Sequence, residues 1–106
     1  MIITTTNSVE GREIDEYLGL VFGEVVSSLG FIGSLGAGLM SYAQGRVSGY
    51  EDEILSARNG AIEEMKLRAE KMGANAVVGC KMDYEVLGSG GAVMMVSISG
   101  TAVKLK

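Results

Sequence analysis

The hydrophobic and polar positions of the chain divide its first quarter into two predicted strands. Residues 2–6 are all β-branched and predict a short strand. Residues 7–16 are mostly polar, and Gly11 is their turn residue. Residues 17–28 are apolar at both odd and even positions except at Glu24, which predicts a longer strand with two apolar faces.

The clearest pattern in the sequence lies between residues 51 and 72. Its apolar side chains recur at spacings of three, four, seven and eight, which is typical of an amphipathic helix. Gly73 follows, and glycine is the usual residue where a helix ends in the left-handed conformation. We therefore predict a helix over 51–72 whose buried stripe is Ile54, Ala57, Ala61, Ile62, Met65, Ala69 and Met72.

The C-terminal third predicts a hairpin. Residues 76–86 alternate, so the even positions from 76 to 86 form one apolar face and the odd positions form the other. The glycine-rich stretch 88–91 predicts a turn, and residues 92–105 predict the last strand. The apolar positions of this strand change phase near Gly100, which predicts a bulge or bend there.

The middle of the chain combines few charges with many glycines. A membrane-spanning helix over 18–40 is conceivable by length, with Glu24 as its only charge. Six glycines in this stretch favour instead a strand, a glycine-rich connection over 30–38 and a short helix over 39–46. The N-terminal residues lack a basic region and a long apolar run, so we expect no signal peptide.

These elements predict one α+β domain over residues 1–106. We expect two layers: an antiparallel sheet of about four strands, packed on one long helix with a short second helix. The order is strand, strand, helix, helix, strand, strand.

Hydrophobic positions also predict self-association. One helix covers one face of a sheet, so Val21, Val25 or their neighbours on the opposite face would lie in water. Association of identical copies into a closed ring or a dimer would bury them. The alternative is that the short helix and the glycine-rich connection fold back over this surface.

Composition and charge narrow the classes of function. The 106 residues include nine Lys+Arg and thirteen Asp+Glu, and this net charge of −4 argues against nucleic-acid binding. The chain has no His and one Cys, which excludes Ser–His and Cys–His nucleophiles, imidazole metal ligands and an internal disulfide. We therefore expect a non-enzymatic protein that does not bind membranes. We expect it in the cytoplasm, since a single free thiol suits a reducing compartment.

Two kinds of metal site are possible from the residue types. Cys80 with Met82 or Met94 offers sulfur ligands for a soft metal, and the alternative is a buried thiol that acts as a small apolar side chain. Asp83 and Glu85 offer oxygen ligands for a divalent cation if symmetry repeats them around a ring. The alternative for this pair is a solvated outer face that includes Lys81.

The glycine-rich connection is a weaker candidate for binding an anion. It contains Gly33 and Gly36 and follows a strand, where backbone N–H groups can hold phosphate. It matches neither of the two common nucleotide-binding glycine motifs. A hinge, or close packing at an interface, is the alternative interpretation.

Motifs along nearly the whole chain resemble the YbjQ-like family of small, mostly bacterial proteins, whose label is heavy-metal binding. They are Thr5-Thr6-Asn7, Tyr17-Leu18-Gly19, Gly45-Arg46, Tyr50-Glu51, Ala57-Arg58, the run Met72 to Gly79, Asp83-Tyr84-Glu85 and Ser99 to Val103. The chain departs from the usual family pattern at Cys80, at Lys81 and over 39–44.

The resemblance implies a compact α+β subunit in a ring-shaped homo-oligomer, for which a pentamer is the expected state. It also draws attention to Arg46, Tyr50 and Glu51, which match the family pattern. Arg46 would hold an anion or a carboxylate of a neighbouring subunit, and Tyr50 would pack on that subunit. The alternative is an Arg46–Glu51 pair within one chain. We add Glu24 to these ligand or interface positions because it is the one charge in its strand.

The expected function is therefore a homo-oligomeric binding or scaffold protein in which clustered carboxylates bind a cation. A module that binds a small ligand or an anion at subunit interfaces, and a purely structural assembly, remain alternatives. An enzyme would have to use Asp, Glu or Lys without His.

Overall fold

A computed structural model describes residues 1–27, 48–87 and 93–106, without the side chains of 48–50 and 87. The predicted α+β class is confirmed: four strands form one sheet, and one long helix packs on it. The glycine-rich connection, the expected short helix over 39–46 and the turn over 88–91 lie outside the described residues. The elements are β1 (Ile2–Ile3), β2 (Ile14–Ser27), α1 (Ser48–Lys71), β3 (Ala76–Leu87) and β4 (Val93–Leu105).

The sheet is mixed, which corrects the expected antiparallel arrangement. Its order is β1-β3-β4-β2, and β4 pairs antiparallel with both β3 and β2. β1 pairs parallel with the start of β3, with Ile2 opposite Ala76. The connection from β1 to β2 therefore runs from one side of the sheet to the other, and β2 forms the opposite edge.

The long helix begins and ends close to the predicted bounds. Ala57, Ala61, Met65 and Ala69 follow one another at intervals of four residues, and all are buried. Gly73 has a φ of +88°, so it ends the helix in the left-handed conformation that the sequence predicts. The helix packs mainly on β2 and β4 and only slightly on β3. No helix in the described ranges is long and apolar enough to cross a membrane.

A β-bulge interrupts β3 where the sequence predicts regular alternation. The pairing of β3 with β4 shifts between Val78 and Lys81, and Gly79 has a φ of +61°. Gly79 and Cys80 together therefore oppose the single residue Gly100 of β4. The irregularity predicted near Gly100 is present, but it lies in β3, and β4 itself continues without an extra residue.

The bulge changes which residues of β3 share a face. Val77 and Cys80 both contribute to the core cluster beneath the helix, whereas Ala76 and Val78 belong to a second cluster. The prediction that all even positions from 76 to 86 face one way is therefore wrong before the bulge. It holds from Cys80 onward, because regular pairing resumes there.

Within residues 1–27, 48–87 and 93–106, the helix-free face of the sheet is covered at one end only. There the N-terminal segment places Ile2, Val9 and Ile14 over the second cluster. This cluster consists of Ala76, Val78, Val103 and Leu105. The change of apolar phase in β4 thus reflects two cores: even positions up to Ala102 face the helix, and the last two apolar positions face the N-terminal segment.

Candidate functional site

The end of the helix-free face that no other described residue covers carries large apolar side chains on β2. Val21 is buried beneath the helix, but its neighbours on the other face are exposed: Leu20 by 64%, Phe22 by 46% and Val26 by 60%. Large apolar side chains grouped in this way usually mark a contact surface. We call Leu20, Phe22 and Val26 the β2 patch.

Polar side chains share this face with the β2 patch. Glu24, Ser97 and Asp83 occupy neighbouring positions on β2, β4 and β3, since Ser97 is the register partner of both acidic residues. Ser97, Ser99 and Thr101 continue the polar line along β4. This half of the sheet therefore offers hydroxyl and carboxylate oxygens beside the exposed apolar side chains.

The predicted cation ligands on β3 lie on this open face. Asp83 and Glu85 are both exposed. Lys81 Nζ lies 3.6 Å from Asp83 Oδ1, which is the contact that a solvated charged face would have. Exposed pairs of this kind contribute little to stability, typically below about 1 kcal/mol.

Glu24 is held at the edge of the sheet by the helix. Arg68 Nη1 lies 3.2 Å from Glu24 Oε1 and donates a hydrogen bond of 3.0 Å to the backbone oxygen of Phe22. The second guanidinium nitrogen of Arg68 contacts Glu64. Arg68 thus satisfies one outward-facing carbonyl of β2 and fixes the position of the Glu24 carboxylate.

Cys80 lies on the other face, at an apolar cleft between α1 and β3. The cleft has a volume of about 230 Å³, and Met82, Ile62 and Ile3 are among its lining residues. Burial raises the pKa of the Cys80 thiol, and a backbone hydrogen bond with Thr4 opposes this shift less strongly. The thiol is therefore protonated at neutral pH and is a weak nucleophile.

The three predicted metal ligands do not converge within one subunit. Cys80 faces the helix, whereas Asp83 and Glu85 face away from it. Residues 1–27, 48–87 and 93–106 contain no group of three His, Cys, Asp or Glu side chains placed to hold a metal ion. Of the predicted sulfur ligands, Cys80 and Met82 line the same cleft, on the face opposite the two carboxylates.

A contact between helix and sheet that the sequence does not predict joins Arg58 and Tyr84. Arg58 Nε donates a 2.9 Å hydrogen bond to the Tyr84 hydroxyl, and the guanidinium carbon lies 5.8 Å from the ring centre. Tyr84 remains 48% exposed and Val86 64% exposed, because α1 covers β2 and β4 more than β3. Arg58 and Tyr84 both occur in motifs that carry the family resemblance, and this is the one sign in the sequence that could have drawn attention to them.

Of the remaining predicted ligand or interface positions, some lie in the described part of the chain and others lie outside it. Glu51 is exposed in the first turn of α1. The backbone of Tyr50 belongs to the same turn, but its side chain lies outside the described part. Gly33, Gly36 and Arg46 lie outside it entirely, so their predicted roles remain predictions.

Comparison with known proteins identifies similar chains of closely similar length. Residues 1–106 match a family model described as "Putative heavy-metal-binding". The chain is 55% identical over 106 residues to the UPF0145 protein of Acetivibrio thermocellus, with full coverage of both chains. It is 56% identical over 103 residues to that of Clostridium botulinum, covering 97% of each. It is also 50% identical over 106 residues to that of Listeria monocytogenes, covering 100% of this chain and 96% of the relative.

A solved structure shares the fold. It is the crystal structure of a protein with unknown function from Pediococcus pentosaceus, which superimposes with a TM-score of 0.59. The match covers 100% of this chain and 98% of the other, at 18% sequence identity. At that identity the similarity shows the fold alone.

Proposed function

The chain belongs to the YbjQ-like family, whose model carries the description "Putative heavy-metal-binding", and we propose that it is a non-enzymatic subunit that assembles with copies of itself and binds a cation in the assembly. The observation that carries the proposal is the exposure of the β2 patch. Full burial of a Leu, Val or Phe side chain contributes roughly 1.5–3 kcal/mol. Contact with another copy would bury these three side chains and so gain a large part of that free energy for each.

The position of β2 supports the same proposal. It is an edge strand of 14 residues, and a long edge strand with exposed apolar side chains invites pairing with another chain. Arg68 satisfies the carbonyl of Phe22, so the helix covers only part of this edge. A ring or dimer of identical copies would cover the rest, and the family resemblance favours a ring of five.

The chemistry of the chain favours binding over catalysis. The sequence contains no His, and the one thiol is buried with a raised pKa. General acid–base catalysis would fall to Asp, Glu or Lys side chains. A single free thiol also fits a reducing compartment, so we propose the cytoplasm as the location.

Cation binding would use the open face, where carboxylates stand beside hydroxyl groups. Asp83 and Glu85 lie on β3, and Glu24 lies two strands away on β2. A divalent cation of the calcium or magnesium type takes six or more oxygen ligands. Several copies in one assembly would together supply the six or more oxygen ligands that the described side chains of one subunit do not bring together. The alternatives are a small-ligand or anion module that uses Arg46, and a purely structural assembly.

A lysine placed in the β2 patch tests the assembly. Phe22→Lys puts a charge into the proposed contact, so light scattering should give a smaller particle than the wild-type protein gives. Asn59→Lys is the control, because Asn59 is exposed on α1 and the change adds the same charge. Circular dichroism checks that both variants fold. Equal particle mass for folded Phe22→Lys and the wild type would contradict the proposal.

A further inference from the structure

The cleft beside Cys80 is used neither by the proposed assembly nor by the proposed cation site. It lies on the face of the sheet that α1 covers, where the helix packs mainly on β2 and β4 and leaves β3 partly open. Its volume is about 230 Å³. Cys80 and Ile98 are buried, whereas Ile3, Ile62 and Met82 are half-buried. The cleft therefore has a closed floor and an open mouth.

The chemistry of the lining suits an uncharged ligand. The described residues that line the cleft include four large apolar side chains and no charged one. Burial raises the pKa of the Cys80 thiol, so this sulfur is neutral at neutral pH. A charged ligand would lose its hydration here without meeting an opposite charge. Water in an apolar space makes few hydrogen bonds, so an apolar ligand displaces it readily.

The sulfur of Met82 favours an aromatic ligand. The Tyr84 hydroxyl donates a hydrogen bond of 3.3 Å to Met82 Sδ, and Arg58 Nε donates one of 2.9 Å to the same hydroxyl. These two bonds restrict the thioether of a side chain that lines the cleft. Methionine sulfur makes favourable contacts with aromatic rings at about 5 Å. No aromatic side chain is among the described residues that line the cleft, so a ligand ring would supply this contact.

We propose that the cleft binds a small uncharged aromatic molecule, one ring with a short substituent, between Ile62 of α1 and Cys80 and Met82 of β3. An apolar cavity of about 150 Å³ is enough to hold benzene, so the larger volume here admits a ring with a few further non-hydrogen atoms. The inference goes beyond the proposed function and does not rest on it, because the cleft and the β2 patch lie on opposite faces of the sheet.

Cys80 reports on the cleft directly, because it is the one thiol of the chain. Methyl methanethiosulfonate is small and uncharged; it transfers its methylthio group to the thiolate, which forms a disulfide and releases methanesulfinate. Mass spectrometry of the intact chain gives the rate at mildly alkaline pH, with toluene as the probe and benzoate as its charged comparison. Only empty clefts react, so toluene at about twice its dissociation constant, measured independently by NMR titration, should slow the reaction about threefold. Benzoate should leave the rate unchanged.

A matched pair of variants locates the bound toluene. Ile62→Phe enlarges a side chain in the wall of the cleft, whereas Leu67→Phe makes a similar change on the exposed surface of α1. Circular dichroism checks that both variants fold, and Met82→Phe replaces Ile62→Phe as the filling variant if the latter does not. Toluene should protect Cys80 in Leu67→Phe as it does in the wild type. The protection should be several-fold weaker in the filling variant.

The same measurements give the results that would overturn the proposal. If the reagent modifies the unfolded chain in urea but not the folded wild type, protein atoms already fill the cleft in solution. Equal rates with and without toluene would mean that the cleft does not bind the ring. Equal protection in the filling variant and in Leu67→Phe would place the toluene elsewhere. Equal protection by toluene and benzoate would contradict an uncharged ligand. Self-assembly is untouched by any of these results, since Phe22→Lys tests it separately.

Discussion

Gly23 of β2 lies directly against the backbone of Ala61 in α1. A Cβ atom at Gly23 would overlap the carbonyl oxygen of Ala61 and would lie 2.7 Å from the backbone nitrogen of Met65. Helix and edge strand therefore approach each other backbone to backbone, and only glycine permits this. The same approach fixes which face of β2 is buried and leaves the β2 patch on the other.

Replacement of Gly23 by alanine should destabilise the protein strongly. Neither strand nor helix backbone can move aside cheaply, so we expect Gly23→Ala to lower the free energy of unfolding by more than about 3 kcal/mol, beyond the usual cost of overpacking. Urea unfolding followed by circular dichroism measures the change. Gly11→Ala is the comparison, because its Cβ would meet open space and its φ of +81° alone should cost about 1–2 kcal/mol. A smaller loss for Gly23→Ala than for Gly11→Ala would contradict this packing.

Gly100 and Cys80 should show coupled effects at the bulge. A Cβ atom at Gly100 would lie 2.6 Å from Cγ1 of Val77 and 2.9 Å from Sγ of Cys80. Gly100→Ala should therefore destabilise the wild type more than it destabilises a Cys80→Ala background. Denaturant unfolding of the two single variants and the double variant gives the coupling, which we expect at about 0.5–3 kcal/mol. Strict additivity would mean that the sulfur does not limit the space beside Gly100.

The buried thiol should make stability fall at alkaline pH. Its pKa is raised in the folded state, so the unfolded chain releases the proton first. The stabilisation is complete below the unfolded-state pKa of about 8.5 and is lost as the pH rises through the folded-state value. Urea midpoints should therefore fall more steeply for the wild type than for Cys80→Ala between neutral and strongly alkaline pH. If the urea midpoints of the wild type and of Cys80→Ala fall in parallel with pH, the thiol is not the cause of the alkaline loss of stability.

Cation binding by the open face predicts a stability change that depends on two carboxylates. A cation that binds the folded protein alone raises its stability by about 2.7 kcal/mol at a hundred times the dissociation constant. Thermal unfolding should shift upward with added Ca²⁺ or Zn²⁺ in the wild type and not in Asp83→Asn with Glu85→Gln. The control is Glu63→Gln with Glu70→Gln, which removes the same charge from α1. A wild type that does not respond to either ion counts against the cation part of the proposal.

Local patterns in the sequence predict much of this fold. The four-residue spacing from Ala57 to Ala69 gives the helix, because one apolar stripe suffices to dock it on a sheet. Alternation around Asp83 places this carboxylate on the face opposite Cys80, so the separation of the candidate metal ligands is visible in the sequence. The two apolar faces of β2 likewise indicate exposed side chains such as Phe22.

The features that the sequence does not predict depend on contacts between distant residues. The bulge at Gly79 is stabilised by a 2.8 Å hydrogen bond from its backbone nitrogen to the oxygen of Thr6. The parallel pairing of Ile2 with Ala76 joins segments more than seventy residues apart. The contact of Arg58 with Tyr84 depends on where the helix lies across the sheet, which no local pattern specifies.

The mass of the wild-type particle in solution tests the central proposal most directly. Sedimentation equilibrium at micromolar concentration should give a closed assembly with a mass that is a whole multiple of the 11.1 kDa chain. The β2 patch would then be buried between copies. A single species of 11.1 kDa across the whole dilution series would contradict the proposal.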